Sequence, residues 1–187
     1  ISILSEAAGE YKRGVKSLGK GFITNNRIYD CTEQNGILVA FAEQEFIIDN
    51  NHVWNIGDCG IEIGGGTGGD FGSRYMVVSN NIVENCSNNP LLSSGAAFLI
   101  RDSRHVRGDG NIVRNTKNDG VQIVQASFDV VFNCKIMNAY RNGFFVDASF
   151  DVRGDVSVTS CGVNNVVVTA SEDIRLNVMD CSIDKAP

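Results

Sequence analysis

Three carboxylate residues, Glu62, Asp70 and Asp102, lie where they could carry out acid–base chemistry. Glu62 lies between two isoleucines, and an apolar neighbourhood without arginine would favour its protonated form and suit a proton donor. Asp102 lies beside Arg101 and close to Arg104, so it would stay ionised and suit a general base. Two carboxyl groups of this kind can cleave a glycosidic bond when one protonates the leaving oxygen and the other activates water.

Basic residues cluster around Asp102, although the chain has a net charge of −6 and an isoelectric point near 4.9. Between residues 101 and 117 the basic side chains are Arg101, Arg104, His105, Arg107, Arg114 and Lys117. This strip could be a solvated face, or it could bind an anionic sugar through Arg101, Arg104 and His105. The acidic balance of the whole chain argues against a general nucleic-acid partner. The chain has no run of 18 apolar residues, so no membrane partner is predicted.

These residues lie on a sequence that repeats. A unit of Ser, two variable residues and one apolar residue recurs at 73–76, 103–106, 127–130, 149–152 and 171–174. A second apolar column follows it, at intervals of 20 to 30 residues, and consists of Ile28, Val53, Val83, Val113, Ile136, Val158 and Val178. A fixed motif on such a period indicates a solenoid in which each coil rests on its neighbours.

Each repeat contains about three short apolar runs divided by polar turns. In the unit that begins at Gly36 the runs are 37–39, 46–48 and 52–54, and their Val, Ile and Phe content predicts short strands. Asn pairs such as Asn50 and Asn51 suit the turns, because Asn tolerates left-handed backbone and its amide can bond between stacked coils. The sequence therefore predicts an all-β parallel solenoid of about seven coils and three parallel sheets. It forms one domain over residues 1–187, which could be a fragment of a longer chain.

Two departures from the period, at residues 64–72 and 87–94, bracket neighbouring strands of the sheet whose runs begin with Gly. They are predicted to wall a ligand groove, and the first could bring Asp70 towards Glu62 and Asp102. The outward column of this sheet is predicted to be Leu38, Glu62, Ala97, Gln122, Phe145 and Val167. A column just past the strand ends is predicted to be Asp102, Gln125, Asp147 and Thr169.

Coil stacking sets the expected distance between these carboxylates. Neighbouring coils lie about 4.8 Å apart, which places Asp102 and Asp147 about 9–10 Å apart if two coils separate them. That distance is at the upper end of the range for an inverting pair of carboxylates. Gln122 and Asp147 are accordingly predicted to contact a substrate, together with Arg101, Arg104 and His105.

Cysteine and aromatic residues also fall into columns. Four of the six cysteines, Cys31, Cys86, Cys161 and Cys181, share one column, and we expect free thiols stacked in the core. No CxxC or Cys/His spacing suits a metal, so neither a metal nor a cofactor is predicted. Phe128, Phe150, Tyr75 and His105 are also assigned to one shared column. An outward ladder of these rings would stack against sugar rings, whereas an inward ladder would be ordinary core.

The pattern S-x-x-V, N-N-x-I-x-x-C, G-I-x-I resembles the right-handed parallel β-helix repeat of the pectate-lyase-like superfold, from about Gly14 to Ile183. The resemblance implies right-handed coils and a sugar-binding cleft along the Gly-led sheet. Pectate lyases, polygalacturonases, mannuronan epimerases and phage tailspike depolymerases share this fold. The chain lacks the clustered Asp pairs of polygalacturonases and the Asp-Pro-His signature of alginate epimerases. A calcium site of the pectate lyase kind would need more carboxylates in the outward column than Glu62.

Two functions are therefore predicted as alternatives. The first is a carbohydrate-active β-helix that binds and cleaves a polysaccharide, as a glycoside hydrolase or lyase of the tailspike kind. The second is a non-catalytic structural or receptor-binding shaft segment of a viral or bacterial fibre, with a homotrimer as the expected assembly. Either function implies a secreted protein or one on the virion surface.

Overall fold

The polypeptide winds into a parallel β-solenoid. The computed structural model of the chain describes residues 1–4, 20–42, 44–64, 72–89 and 95–182, and it describes the backbone alone for residues 2–4 and 180–182. The described residues form strands, bends and turns, with no α-helix. The strands are β1 (Ser2–Leu4), β2 (Gly21–Thr24), β3 (Arg27–Cys31), β4 (Ile37–Ala40), β5 (Phe46–Asp49), β6 (His52–Ile56), β7 (Ile61–Gly64), β8 (Arg74–Ser79), β9 (Ile82–Glu84), β10 (Ala96–Arg101), β11 (Arg104–Thr116), β12 (Asp119–Val124), β13 (Phe128–Ala139), β14 (Asn142–Asp147), β15 (Phe150–Thr159), β16 (Asn164–Thr169) and β17 (Glu172–Ser182).

The strands form three faces. The first face is one parallel sheet in the order β1-β4-β7-β10-β12-β14-β16. The second face runs β2-β5-β8 and continues through the first halves of β11, β13, β15 and β17. The third face runs β3-β6-β9 and continues through the second half of β11. Because β11 and the later long strands pass from the second face to the third without a break, these two faces form one continuous sheet.

This architecture confirms the predicted fold class and differs slightly in the coil count. From Gly21 to Thr169 the strands complete about six turns, compared with the predicted number of about seven, and β17 begins a further turn. The predicted apolar column lies inside the solenoid, where Val53, Val83, Val113, Ile136 and Val158 are all fully buried. Full burial of one such side chain contributes about 1.5–3 kcal/mol, so this column is a main source of stability.

Four of the five recurring serines, Ser73, Ser103, Ser127 and Ser149, lie buried at the corner between the first and second faces. The hydroxyl of Ser103 donates to the carbonyl oxygen of Arg101 at 2.8 Å, and that of Ser127 donates to Val124 at 2.9 Å. The hydroxyl of Ser149 donates to Asp147 at 2.9 Å. Each serine therefore satisfies a carbonyl at the end of the preceding strand, which explains why Ser recurs where an apolar residue would leave that oxygen unpaired.

A buried asparagine ladder joins the second and third faces in the first half of the solenoid. The Nδ2 of Asn26 donates to Oδ1 of Asn51 at 2.9 Å, Asn51 donates to Asn81 at 2.9 Å, and Asn81 donates to Asn111 at 3.1 Å. The preceding residues Asn25, Asn50, Asn80 and Gly110 all have positive φ. The predicted stacking of turn amides is therefore confirmed. The ladder ends at Asn111 because Cys134 occupies the matching place in the next coil.

Candidate functional site

Glu62 points outward from the first face into a bonded cluster. Its side chain forms an ion pair with the guanidinium of Arg101, and its Oε2 accepts from Nδ2 of Asn35 at 2.6 Å. The residue is only 4% exposed. Gly64 leaves the space that Arg101 occupies, because a Cβ atom at that position would lie 2.6 Å from Cγ of Arg101. The expectation that Glu62 has no arginine beside it is therefore wrong.

The register of β10 explains this error. Strand β10 pairs with β7 so that Leu99 lies level with Glu62, and Arg101 lies level with Gly64. The predicted outward column assigned Ala97 to the position level with Glu62, but Leu99 occupies that position in the structure. Ala97 instead lies level with Gly60, at a crowded inner corner where a Cβ atom on Gly60 would lie 2.2 Å from Cγ1 of Val83.

Asp102 and Asp147 do not share a column. Asp147 lies one step beyond Val146, level with Val124 and Arg101, and its Oδ1 accepts from the hydroxyl of Thr169 at 2.6 Å. Asp102 lies one residue further along, is buried, and has a φ of 47° at the bend that ends the strand. Strand rise places Asp102 about 10 Å beyond the level of Glu62 along the strand direction. Sequence spacing alone therefore misplaced Asp147 by one residue relative to Asp102.

Gln122 belongs to a buried polar network on the first face. Its Nε2 donates to Oδ2 of Asp119 at 2.6 Å. Oδ1 of Asp119 accepts from the backbone N–H and the side-chain amide of Asn142, each at 2.9 Å. The side-chain amide nitrogen of Gln122 thus has a protein partner, and its predicted contact with a substrate stays a prediction. Asp70 and most of the two predicted groove walls, residues 65–71 and 90–94, lie outside the described residues.

The beginning of the second face carries aromatic and basic side chains at matching positions of four successive coils. Register places Arg74, Arg104, Phe128 and Phe150 level with one another. Phe128 is 43% exposed and Phe150 is 41% exposed. Of the two readings of this aromatic column, the outward one is therefore correct. The column is nevertheless one residue away from the column of Tyr75 and His105.

Tyr75, His105 and Asp129 form this neighbouring column. The rings of Tyr75 and His105 stack with centroids 4.9 Å apart and planes 11° from parallel. Nδ1 of His105 lies 2.7 Å from Oδ2 of Asp129. Nη2 of Arg107 donates to both oxygens of Asp129, at 2.9 and 2.8 Å. These bonds, first from Arg107 and then from His105, hold the pKa of the Asp129 carboxyl below its usual value, against the opposing effect of burial.

A cavity of about 440 Å³ opens beside this stack. It is lined by Glu45, Tyr75, Met76, Val77, His105 and Arg107. We define the basic aromatic strip as Arg74, Tyr75, Arg104, His105, Arg107, Phe128 and Phe150, together with Asp129, which His105 and Arg107 contact. Guanidinium groups can bind carboxylates with two parallel hydrogen bonds, and exposed rings offer flat apolar surfaces. The arrangement can therefore hold a ligand that carries both carboxylates and apolar ring faces.

The structure divides the predicted site residues between two faces. Arg104 and His105 lie on the basic aromatic strip, whereas Glu62, Arg101, Gln122 and Asp147 lie on the first face. The sequence reasoning missed Arg74 as part of the strip. A signal for it was present, because the two variable residues between each recurring Ser and its apolar partner occupy equivalent outward positions in every coil.

The comparisons with known proteins agree with this architecture. Residues 5–130 match a family described as a right-handed β-helix region. No curated protein and no solved structure matches the chain. Within the described part of the chain, no helix has the length and apolar character needed to cross a membrane. The family match covers well over half of the 187 residues, and the chain therefore belongs to the right-handed β-helix family.

Proposed function

We propose that this protein binds an acidic polysaccharide along the basic aromatic strip. The observation that carries the proposal is the level row of Arg74, Arg104, Phe128 and Phe150, with exposed rings next to guanidinium groups in successive coils. Coil spacing spreads this row over about 14 Å along the solenoid axis. A polymer that runs along the axis would meet arginine first and then two phenyl faces.

The distribution of charge supports an acidic ligand at this place. The chain carries a net charge of −6, so a polyanion is repelled by most of the molecule. Within the strip, Arg107 neutralises Asp129, and the half-buried Arg74 and Arg104 place further guanidinium groups beside the exposed rings. Attraction between an anionic polymer and these guanidinium groups weakens as salt screens the charges. Binding should therefore decrease as ionic strength rises.

Cleavage of a polysaccharide is a separate proposal from binding at the strip, with Glu62, Asp70 and Asp102 as the acid–base residues. Glu62 forms an ion pair with Arg101 and accepts a hydrogen bond from Nδ2 of Asn35, and these contacts orient its carboxylate on the first face. Incubation with polygalacturonate and alginate, read for new reducing ends and for unsaturated uronates, distinguishes a hydrolase or lyase from a protein that only binds.

The binding proposal is tested by calorimetric titration with polygalacturonate and alginate oligosaccharides. We expect Arg104→Gln to weaken binding about tenfold, because it removes a charge-assisted contact worth about 1.5 kcal/mol or more. Lys135→Gln is the matched control, since it removes one positive charge from an exposed position on the third face. Equal loss of affinity in both variants, or no binding of either polymer to the wild-type protein, would reject the proposal.

A structural role is the second candidate, and the internal ladders favour it. Buried asparagine side chains tie successive coils together, and the serine hydroxyls add longer contacts to carbonyl groups of the preceding coil, as a load-carrying shaft requires. In this role the protein would be a segment of a viral or bacterial fibre, assembled as a homotrimer and displayed on a virion surface or secreted. Light scattering of the purified protein measures the assembly state, and a monomer would count against the trimeric fibre.

A further inference from the structure

We propose a second glycan-binding site on the third face, built on Tyr29 and Trp54 and selective for neutral sugars. It uses different residues from the basic aromatic strip and lies on another face of the solenoid. The proposal rests on a stacked aromatic pair, on the groups that fix it, and on a polar cavity next to it.

Tyr29 and Trp54 form a stacked aromatic pair, which we call the platform. Register places them level in β3 and β6, and both side chains point away from the core. Their ring centroids lie 4.7 Å apart, with planes 15° from parallel. Because the rings are stacked, each covers one face of the other. Tyr29 is nevertheless 57% exposed, so its ring leaves an apolar surface on which one sugar ring can stack.

The ring of Trp54 is held from the side by a chain of polar contacts. The His52 ring lies 4.5 Å from it, and Nε2 of His52 lies 2.8 Å from Oε1 of Glu84. Arg114 adds a longer ion pair to the other oxygen of Glu84, at 3.9 Å. The platform is therefore ordered before a ligand arrives, which reduces the entropy that binding would otherwise lose.

A polar cavity of about 550 Å³ adjoins the platform. The residues that directly follow the two rings in sequence, Asp30 and Asn55, both line it. Nδ2 of Asn55 donates to Oδ1 of Asp30 at 3.0 Å, which fixes the orientation of this carboxylate. The remaining lining includes Thr32, Glu33, Asn88 and Asn89. Platform and cavity together offer an apolar ring face beside hydrogen-bonding groups.

The charged side chains that line the cavity favour neutral sugars over anionic ones. Its lining contains the carboxylates of Asp30 and Glu33, and no basic side chain is among its lining residues in the described part of the chain. Carboxylates and amides accept hydrogen bonds from sugar hydroxyls, and the two carboxylates repel uronates and sulfates. The site therefore fits a neutral glycan, and its preference is opposite to that of the basic aromatic strip.

Trp54 provides a direct readout, because it is the only tryptophan in the chain. We would titrate the protein with hexasaccharides of glucose, mannose and xylose, and separately with polygalacturonate, while recording tryptophan emission. At least one neutral hexasaccharide should give a saturable change in emission, and polygalacturonate should give none. Tyr29→Ala should weaken the neutral interaction about tenfold, whereas Tyr29→Phe should keep it because the ring remains.

Tyr140→Ala is the matched control, since Tyr140 is an exposed aromatic residue at another turn. It should leave the affinity for the neutral hexasaccharide unchanged. The proposal is overturned if none of the three hexasaccharides alters the emission of Trp54. It is also overturned if a hexasaccharide binds with equal affinity to the wild-type protein and to Tyr29→Ala. Either result is independent of whether polygalacturonate binds at the basic aromatic strip.

Discussion

Arg101 and Arg104 are three residues apart in the chain, yet they serve different faces of the molecule. Arg101 ends β10 and pairs with Glu62 on the first face, whereas Arg104 begins β11 level with Phe128 on the second. The bend between them includes Asp102, whose φ is 47°. The corner between the first and second faces thus divides the cluster of basic residues that the sequence shows. Arg101 is paired with a buried carboxylate, and Arg104 lies on the face that we propose binds an acidic ligand.

The cysteines show which parts of a column predicted from the sequence are correct at the scale of single residues. The predicted column holds from Cys31 through Cys86 to the level of Cys161, but a register shift before Ser182 takes Cys181 out of it. Ile56 lies between Cys31 and Cys86 in the stack, so these two cysteines are two coils apart. A separation of about 9–10 Å is too long for a disulfide. All five described cysteines are free thiols. Cys86 is buried as expected, whereas Cys31 and Cys161 are only half-buried, and the side chain of Cys181 lies outside the described residues.

Burial should divide these thiols by reactivity. Burial raises the pKa of Cys86 to about 12, and it raises the pKa of Cys59 and Cys134 as well. Because the thiolate is the reactive form, these three should be protected from an alkylating reagent at neutral pH, while Cys31 and Cys161 should react faster. Peptide mass spectrometry after timed labelling measures each rate, and the urea-unfolded chain is the control. Equal rates at all five positions in the native protein would contradict the assigned burial.

At the scale of the strand and turn, rows of equivalent residues could be predicted and the register between strands could not. The Ser, Asn and Val rows follow from the repeat, because every coil must fill the same corner or interior position. Register failed where coil length changes. Gly95 was assigned to the glycine column although Ala97 occupies that place, since the segment before β10 is longer than in other coils. The contact of Glu62 with Arg101 depends on this register and was missed for the same reason.

The asparagine ladder gives a prediction at the same scale. Asn81→Ala should destabilise the protein by about 3 kcal/mol, since it removes the bonds that Oδ1 of Asn81 accepts from the backbone and side-chain N–H groups of Asn51 and the bond that Nδ2 donates to the carbonyl of Ile48. Urea unfolding followed by circular dichroism gives the free energy of unfolding. Asn177→Ala is the matched control, because this exposed amide bonds Asp155 at the surface, and it should change stability by less than about 0.5 kcal/mol. Similar losses in both variants would show that the ladder is not a special source of stability.

At the scale of the whole molecule, one scaffold carries two surfaces for which we propose opposite charge preferences. The second face carries arginines beside exposed phenyl rings, and the third face carries the Tyr29–Trp54 pair beside an acidic cavity. Parallel coils make both arrangements possible, because equivalent positions repeat every 4.8 Å or so and build continuous strips from residues distant in sequence. Composition alone indicated only an acidic chain, so neither surface could be located without the register.

A crystal structure of the protein with a bound galacturonate oligosaccharide would locate the acidic glycan atom by atom. The proposed function predicts sugar rings lying against Phe128 and Phe150, with a carboxylate paired to the guanidinium of Arg104. A sugar chain bound only on the first face beside Glu62, or only on Tyr29 and Trp54, would contradict the assignment of the acidic glycan to the basic aromatic strip.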